Sequence, residues 1–254
     1  TGRVPNAHLS GEIDVARLEL ENLASADVTV DLSALELAQG GRSVKLAAAS
    51  GPVRLTEGSL GVPQLDFVIA DSRRGARLAF NVEGKLRSPF GPAKPDLDVR
   101  IEMTPFNLAG LKNDLPQLDR IEGMASGGIQ LSGDLSAPKV SGSLRLRDGS
   151  LALVGFPTTI EDIAVDVSLG DGELRVTKAS ASVGAGTVDI SGRVPLIGLG
   201  YGTGSATITG RGLKLPAGEG IDVVVDADLD LTLPASDRKD GVLPDLRGRV
   251  DVSS

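Results

Sequence analysis

The feature that most limits what this chain can become is an alternation of apolar and polar residues, repeated from one end of the sequence to the other. "GEIDVARLELEN" sets Ile13, Val15, Leu18 and Leu20 among charged neighbours, and "ADVTVDLS" sets Val28, Val30 and Leu32 among Thr, Asp and Ser. A period of two sends successive side chains to opposite faces of an extended strand, so each such segment predicts one apolar face and one wet face. The same reading covers Val44 and Leu46, Val53 and Leu55, Leu65, Phe67 and Ile69, Leu78, Phe80 and Val82, and Leu97, Val99, Ile101 and Met103. Further along come Ile129 and Leu131, Leu144 and Leu146, Leu151 and Leu153, Ile163, Val165 and Val167, Leu174 and Val176, and Val188 and Ile190. Ile208, Val223 and Val225, Leu229, Leu231 and Leu233, and Val250 and Val252 complete the series. A spacing of about 8 to 12 residues then predicts an all-β chain of roughly 16 to 18 antiparallel strands. "RDGS", "GDGE" and "SVGAGT" are read as its tight hairpin connections, because Asp-Gly and Gly readily take the left-handed conformations that two-residue turns need.

One stretch breaks the rhythm. In "FNLAGLKNDLPQLDRIEG", Leu108, Leu111, Leu115, Leu118 and Ile121 recur every three or four residues, the spacing of an apolar stripe on a helix. Pro116 interrupts it, so a short helical segment broken near Leu115 is expected. This divides the sequence into a strand-rich part at 1–105, a helical lead-in at 106–123 and a second strand-rich part at 124–254. The parts look like imperfect copies. "GPVRLTEGSLGVPQLDFVIADSRRGARLAFNVEGKL" and "GSLRLRDGSLALVGFPTTIEDIAVDVSLGDGELRV" run through strand, turn and strand in a similar order, as repeats do when each packs only on its neighbours.

Composition constrains how the apolar faces are hidden. Hydrophobic residues make up 41% of the chain but aromatics only 2%, with no Trp. Large rings usually fill the centre of a sandwich or barrel, whereas the apolar side here is Leu, Val, Ile and Ala with Gly between them. A long curved antiparallel sheet bent into an elongated U-shaped trough suits that inventory, since glycines let strands bend. A closed aliphatic core, as in a β-helix or sandwich, is the competing arrangement that the pattern alone leaves open.

Net charge is −8 and the isoelectric point about 4.8, so the molecule's field repels phosphate backbones and nucleic acid is not an expected partner. Cysteine is absent, which removes disulfides and thiolate chemistry. No apolar run approaches the roughly 20 residues that a spanning helix requires. The opening "TGRVPNAHLSGEIDV" does not read as a signal peptide, and the ending "RGRVDVSS" stops in mid-pattern, so an excised segment of a longer protein is expected.

Residues that could carry chemistry are sparse. His8 is the one histidine and cannot by itself build a histidine metal site or a catalytic triad. Asp226, Asp228 and Asp230 share one face of a strand, which a calcium ion could use but a solvated face explains better. "GAGTVD" at 184–189 matches a calcium-binding nonapeptide only once. "GLGYGTG" leads into a strand where a phosphate loop needs a helix. Glu161 and Asp162 are adjacent and so point to opposite faces, which a carboxylate pair cannot use. No catalytic, metal or cofactor site is expected, and binding takes the place of catalysis.

The region from Ile121 to Pro195 resembles the repeating units of TamB and its AsmA-like relatives. The likeness rests on the order of "RIEG", "LSGDLSAPKVSGSLRLRDGSL", "GFPTTIEDIAVDVSL" and "GAGTVDISGRV", preceded by "MTPFNLAGLKNDLPQLD". It implies a periplasmic segment of a Gram-negative protein anchored in the inner membrane, whose hydrophobic β-groove carries phospholipid toward the outer membrane. It also implies work beside a TamA-like outer-membrane barrel, through regions outside this chain. The groove lining implied is Ile129, Leu131, Leu144, Leu146, Leu151, Leu153, Ile163, Val165, Val167, Leu174, Val176, Val188 and Ile190. The alternative is an extracellular β-solenoid, either an adhesin stalk or a polysaccharide-acting β-helix, although aromatic platforms for sugar are scarce.

Overall fold

The computed structural model describes residues 6–19, 21–39, 42–71, 77–90, 93–155, 158–197, 200–218, 221–235 and 243–253. Leu20, the Phe-Pro of "GFPTT" at 156–157 and the first two residues of "GLGYGTG" lie outside them. The first strands are β1 (Asn6–Arg17), β2 (Asp27–Gln39), β3 (Arg42–Ala49), β4 (Val53–Thr56), β5 (Ser59–Asp71), β6 (Arg77–Arg87), β7 (Asp96–Asn107) and β8 (Leu118–Asp134). They are followed by β9 (Lys139–Leu153), β10 (Ile160–Gly170), β11 (Glu173–Val183), β12 (Gly186–Ile197), β13 (Gly200–Tyr201), β14 (Gly204–Gly218), β15 (Ile221–Leu233) and β16 (Asp245–Ser253). The chain is all-β, a long antiparallel sheet, as the alternation predicts. The hydrogen-bonded order is β1-β2-β3-β5-β6-β7-β8-β9-β10-β11-β12-β14-β15-β16, with β4 bridging β2 and β5 and β13 folded back on β12.

Two compact units divide the chain, one of residues 1–106 with 127–141 and the other of 107–126 with 142–254. In the first, β3 and β4 share one lane of the sheet, broken at Ser50–Pro52, and β4 turns into β5 through Glu57 and Gly58 at φ 49° and 66°. Both central residues are left-handed there, the requirement of the commonest hairpin turn. The second unit makes the same turn from β10 to β11 with Asp171 and Gly172 at φ 52° and 70°, so "GDGE" is the hairpin its sequence predicts. "SVGAGT" also turns as predicted, with Val183 paired to Gly186 and Gly184 at φ 60°.

"RDGS" does not turn. Asp148 takes φ 52°, but the strand continues through it and Gly149 pairs with Ile163 as part of β9. The left-handed Asp148 here makes a bulge, which adds a residue to one strand and bends it, whereas in "GDGE" the following Gly172 is left-handed as well and the chain reverses. The neighbouring Arg147 fixes the bulge. Its Nη1 donates to the carbonyls of Leu146 (2.8 Å) and Val165 (3.0 Å), and its Nη2 meets the Asp166 carboxylate at 2.5 Å.

The same clamp recurs in β14. Gly212 takes φ 60°, Arg211 Nη1 donates to the carbonyls of Gly210 (2.8 Å) and Ala227 (3.1 Å), and Nη2 meets Asp228 at 2.6 Å. Arg and its strand-neighbour Asp thus staple two strands across each bend.

The helical lead-in is shorter than its stripe predicts. A 3₁₀ helix covers Leu108–Asp114, started by the Asn107 side chain accepting from the Ala109 amide at 2.9 Å. It ends at Leu115, just before Pro116, as expected. Leu118 and Ile121, however, belong to β8, and the reading of them as helical is corrected: the 3₁₀ segment stops before Pro116, the Leu118 amide closes a turn on the Leu115 carbonyl at 2.9 Å, and the chain then runs extended.

Candidate functional site

Cross-strand register shows what the alternation builds. In the second unit Leu146 lies opposite Val165, Val165 opposite Ala179, Ala179 opposite Ile190, Ile190 opposite Ile208, and Ile208 opposite Leu229. A second row runs Leu144, Val167, Val176, Gly192, Ala206, Leu231 and Leu246, one partner per strand. The first unit holds an equivalent row of Val15, Val28, Leu55, Leu60, Leu86 and Leu97. Side chains directly opposite sit about 4.5 to 5.5 Å apart at Cβ, so each row is an aliphatic band crossing the strands, with a gap at Gly192 in the second.

The bands are not sealed. Among the described residues the buried hydrophobics are Ala26, Leu65, Leu118, Val183 and Ala227, and no large side chain is fully buried. Of the lining residues read from the sequence, none is buried. Leu131, Leu146, Leu151, Leu153, Ile163, Val165, Val167, Leu174, Val176 and Val188 are half-buried, while Ile129, Leu144 and Ile190 are exposed. The end strands go further: β16 is exposed along its whole length, and Ile13 of β1 is 68% exposed. A sandwich or closed barrel of this size would bury such residues almost completely. The side chains do not all share one unit, since Ile129 and Leu131 fall in the first and the others in the second.

Sequence reading passed over some members of these bands. Ala179 continues the main row because β11 bulges between Val176 and Ala179 and restarts its alternation there. The "KASASV" segment carries the signal, small residues at every second position, but Ala is too weakly apolar to mark a strand alone. Gly192 and Ala206 are similar.

The opposite face is polar and in part self-paired. Arg145 and Arg147 both reach Asp166, Arg175 holds Glu173 at 2.9 Å, and Lys214 holds Asp222 at 2.8 Å. The hydrogen bond to Asp222 and that carboxylate's charge raise the Lys214 pKa, and Asp228 acts in the same way on Arg211. The three aspartates of β15 do not converge. Asp226 accepts from the Gly212 amide (2.6 Å), Asp228 pairs with Arg211, and Asp230 accepts from the Thr207 hydroxyl (3.2 Å). Among the described residues no group of His, Asp or Glu is placed to hold a metal. His8 is exposed on β1. Glu161 and Asp162 sit at a bulge rather than on a plain strand: Asp162 takes φ 52° and accepts from the Ser182 hydroxyl at 3.0 Å. The described part of "GLGYGTG", from Gly200 on, runs through β13 into strand β14.

No protein-family model, curated protein or solved structure matches this chain. No helix among the described residues is long and apolar enough to cross a membrane. What the fold and the site define is a class: an antiparallel sheet with one aliphatic face left accessible and one charged, partly ion-paired polar face.

Proposed function

We propose that this chain is a periplasmic segment of a TamB/AsmA-like protein, and that its aliphatic sheet face shelters phospholipid acyl chains on their way between the inner and outer membranes. The observation that supports this reading is the set of aliphatic rows aligned across successive strands yet left half exposed. Each CH₂ of a lipid tail moved from water onto such a surface gains about 0.8 kcal/mol. A band of Leu, Val, Ile and Ala makes no directional contact, so no single position traps a tail and a chain can slide along it. The polar face, charged and in part ion-paired, keeps the sheet wetted from behind. Anchorage in the inner membrane and work with a TamA-like barrel belong to parts of the protein outside this segment. A β-helix stacks its rungs in parallel, and the antiparallel ladders do not favour the solenoid alternative.

The test is site-specific photocrosslinking in cells, with a photoreactive residue at Leu146 or Val165 on the aliphatic face and at Asp166 on the polar face. Phospholipid adducts at the first two positions and not at the third are expected. Adducts at none of them, or equally at all three, would refute the reading.

A further inference from the structure

We infer that the first unit carries an oxyanion site on its polar face, of the class that takes a phosphate group. β3 ends at Ala49 and β4 begins at Val53, so one lane of the sheet is interrupted by Ser50, Gly51 and Pro52. In the adjacent lane β5 loses register between Val62 and Leu65, around Pro63. The two irregularities lie side by side, joined by the Ser50 amide donating to the Gln64 carbonyl at 2.9 Å. They open a hollow of about 500 Å³ whose lining includes Pro52, Arg54, Gly61, Pro63 and Lys85.

Register places the cations. Arg54 lies opposite Gly61, and Gly61 lies opposite Lys85, so three neighbouring strands present a guanidinium, no side chain, and an ammonium. Two strand spacings put the outer Cα atoms about 9.6 Å apart, and both side chains are long enough to lean over the bare lane. Four other cations of this unit are ion-paired, Lys45 with Glu36, Arg87 with Asp96, Lys94 with Asp134 and Arg100 with Glu102, whereas Arg17 and Lys139 lie elsewhere in the sheet without such a partner among the described residues. Among the described residues neither Arg54 nor Lys85 has a carboxylate within ion-pair distance. Asp98, which faces Lys85 across the strands, takes the Gln130 amide instead at 3.1 Å.

Two unpaired cations held around a missing side chain repel one another until an anion lies between them. A guanidinium offers two parallel donors that match a pair of phosphate oxygens, and an ammonium adds a compact charge from the other side. The absent Cβ at Gly61 lets the ligand approach the backbone. The site faces away from the aliphatic rows and stands independently of lipid passage along them. A phospholipid headgroup bound here would belong to a membrane surface, and a free phosphate would come from solution.

The closing experiment titrates the chain with inorganic phosphate by ³¹P NMR, and in parallel sediments it with phosphatidylglycerol vesicles, using phosphatidylcholine vesicles as the control. The informative variants are Gly61→Glu and Arg54→Gln. A Cβ at position 61 would have its nearest neighbour, the Arg54 carbonyl oxygen, at 3.8 Å, so the sheet accepts a side chain there, and the new carboxylate enters between the two cations. Phosphate is expected to bind the wild type and to bind both variants at least tenfold more weakly, with unchanged circular dichroism. Binding of phosphatidylglycerol vesicles alone, lost in the same variants, would make the headgroup the source of the phosphate. No binding in either arm, or variants that bind like the wild type, would overturn the inference.

Discussion

Replacing Ile190 by Asp separates an accessible aliphatic face from a sealed core by magnitude alone. Ile190 sits in mid-row between Ala179 and Ile208 and keeps 36% of its surface exposed. Full burial of such a side chain is worth about 1.5 to 3 kcal/mol, so roughly two-thirds of that, about 1 to 2 kcal/mol, is lost with the substitution. Aspartate's poor fit to a pleated strand adds up to about 1 kcal/mol. The expected destabilisation is about 1 to 3 kcal/mol, because the carboxylate still reaches water. In a dry interior the same carboxylate would be desolvated without a partner, adding several kcal/mol more. Urea unfolding followed by circular dichroism reads the difference from the shift in midpoint. The control is Ser191→Asp on the polar face, where a surface substitution changes stability by about 0.5 kcal/mol or less. A loss above about 5 kcal/mol for Ile190→Asp would show that the rows are closed over, and the argument for an accessible face would fail.

Further consequences follow from individual contacts. Gly186→Ala would place a Cβ 2.4 Å from the Arg211 carbonyl oxygen, so β12 and β14 must separate and stability should fall by about 1 to 3 kcal/mol, read from the thermal or urea midpoint. Gly172→Ala, at φ 70° in the β10–β11 turn, meets open space but a disfavoured backbone, and should cost about 1 kcal/mol in the same assay. The Asp134 carboxylate is held below its ordinary value by the hydroxyl and amide of Ser136 and then by Lys94. Its contribution to the β8–β9 turn is therefore complete above about pH 3.9, the unfolded value, and is lost as pH falls through the lower folded value. Asp134→Asn should weaken stability at neutral pH and flatten its decline below pH ~4. An unchanged acid profile would refute that assignment.

Much of the fold was legible in the residues because a strand's facing pattern is local. Val28, Val30 and Leu32 share a face whatever lies beside them, since an extended backbone alternates its side chains by geometry alone. "GDGE" is a hairpin for the same reason, two residues that tolerate left-handed backbone placed between two strands. "RDGS" looks almost identical, and only tertiary structure decided that it continues as a strand: Gly149 pairs with Ile163, and Arg147 clamps the bend from both sides. Leu118 and Ile121 carry helical spacing but became strand, because Pro116 ends the helical segment and the chain past it joins the sheet as β8. The candidate site divides in the same way. The sequence by itself determined which side chains are aliphatic and which face of each strand they occupy. Whether Ala179 joins Val165 and Ile190 in one band, and whether that band stays accessible, depends on register, bulges and the absence of a covering layer among the described residues. Those are relations between strands distant in sequence, which no local pattern encodes.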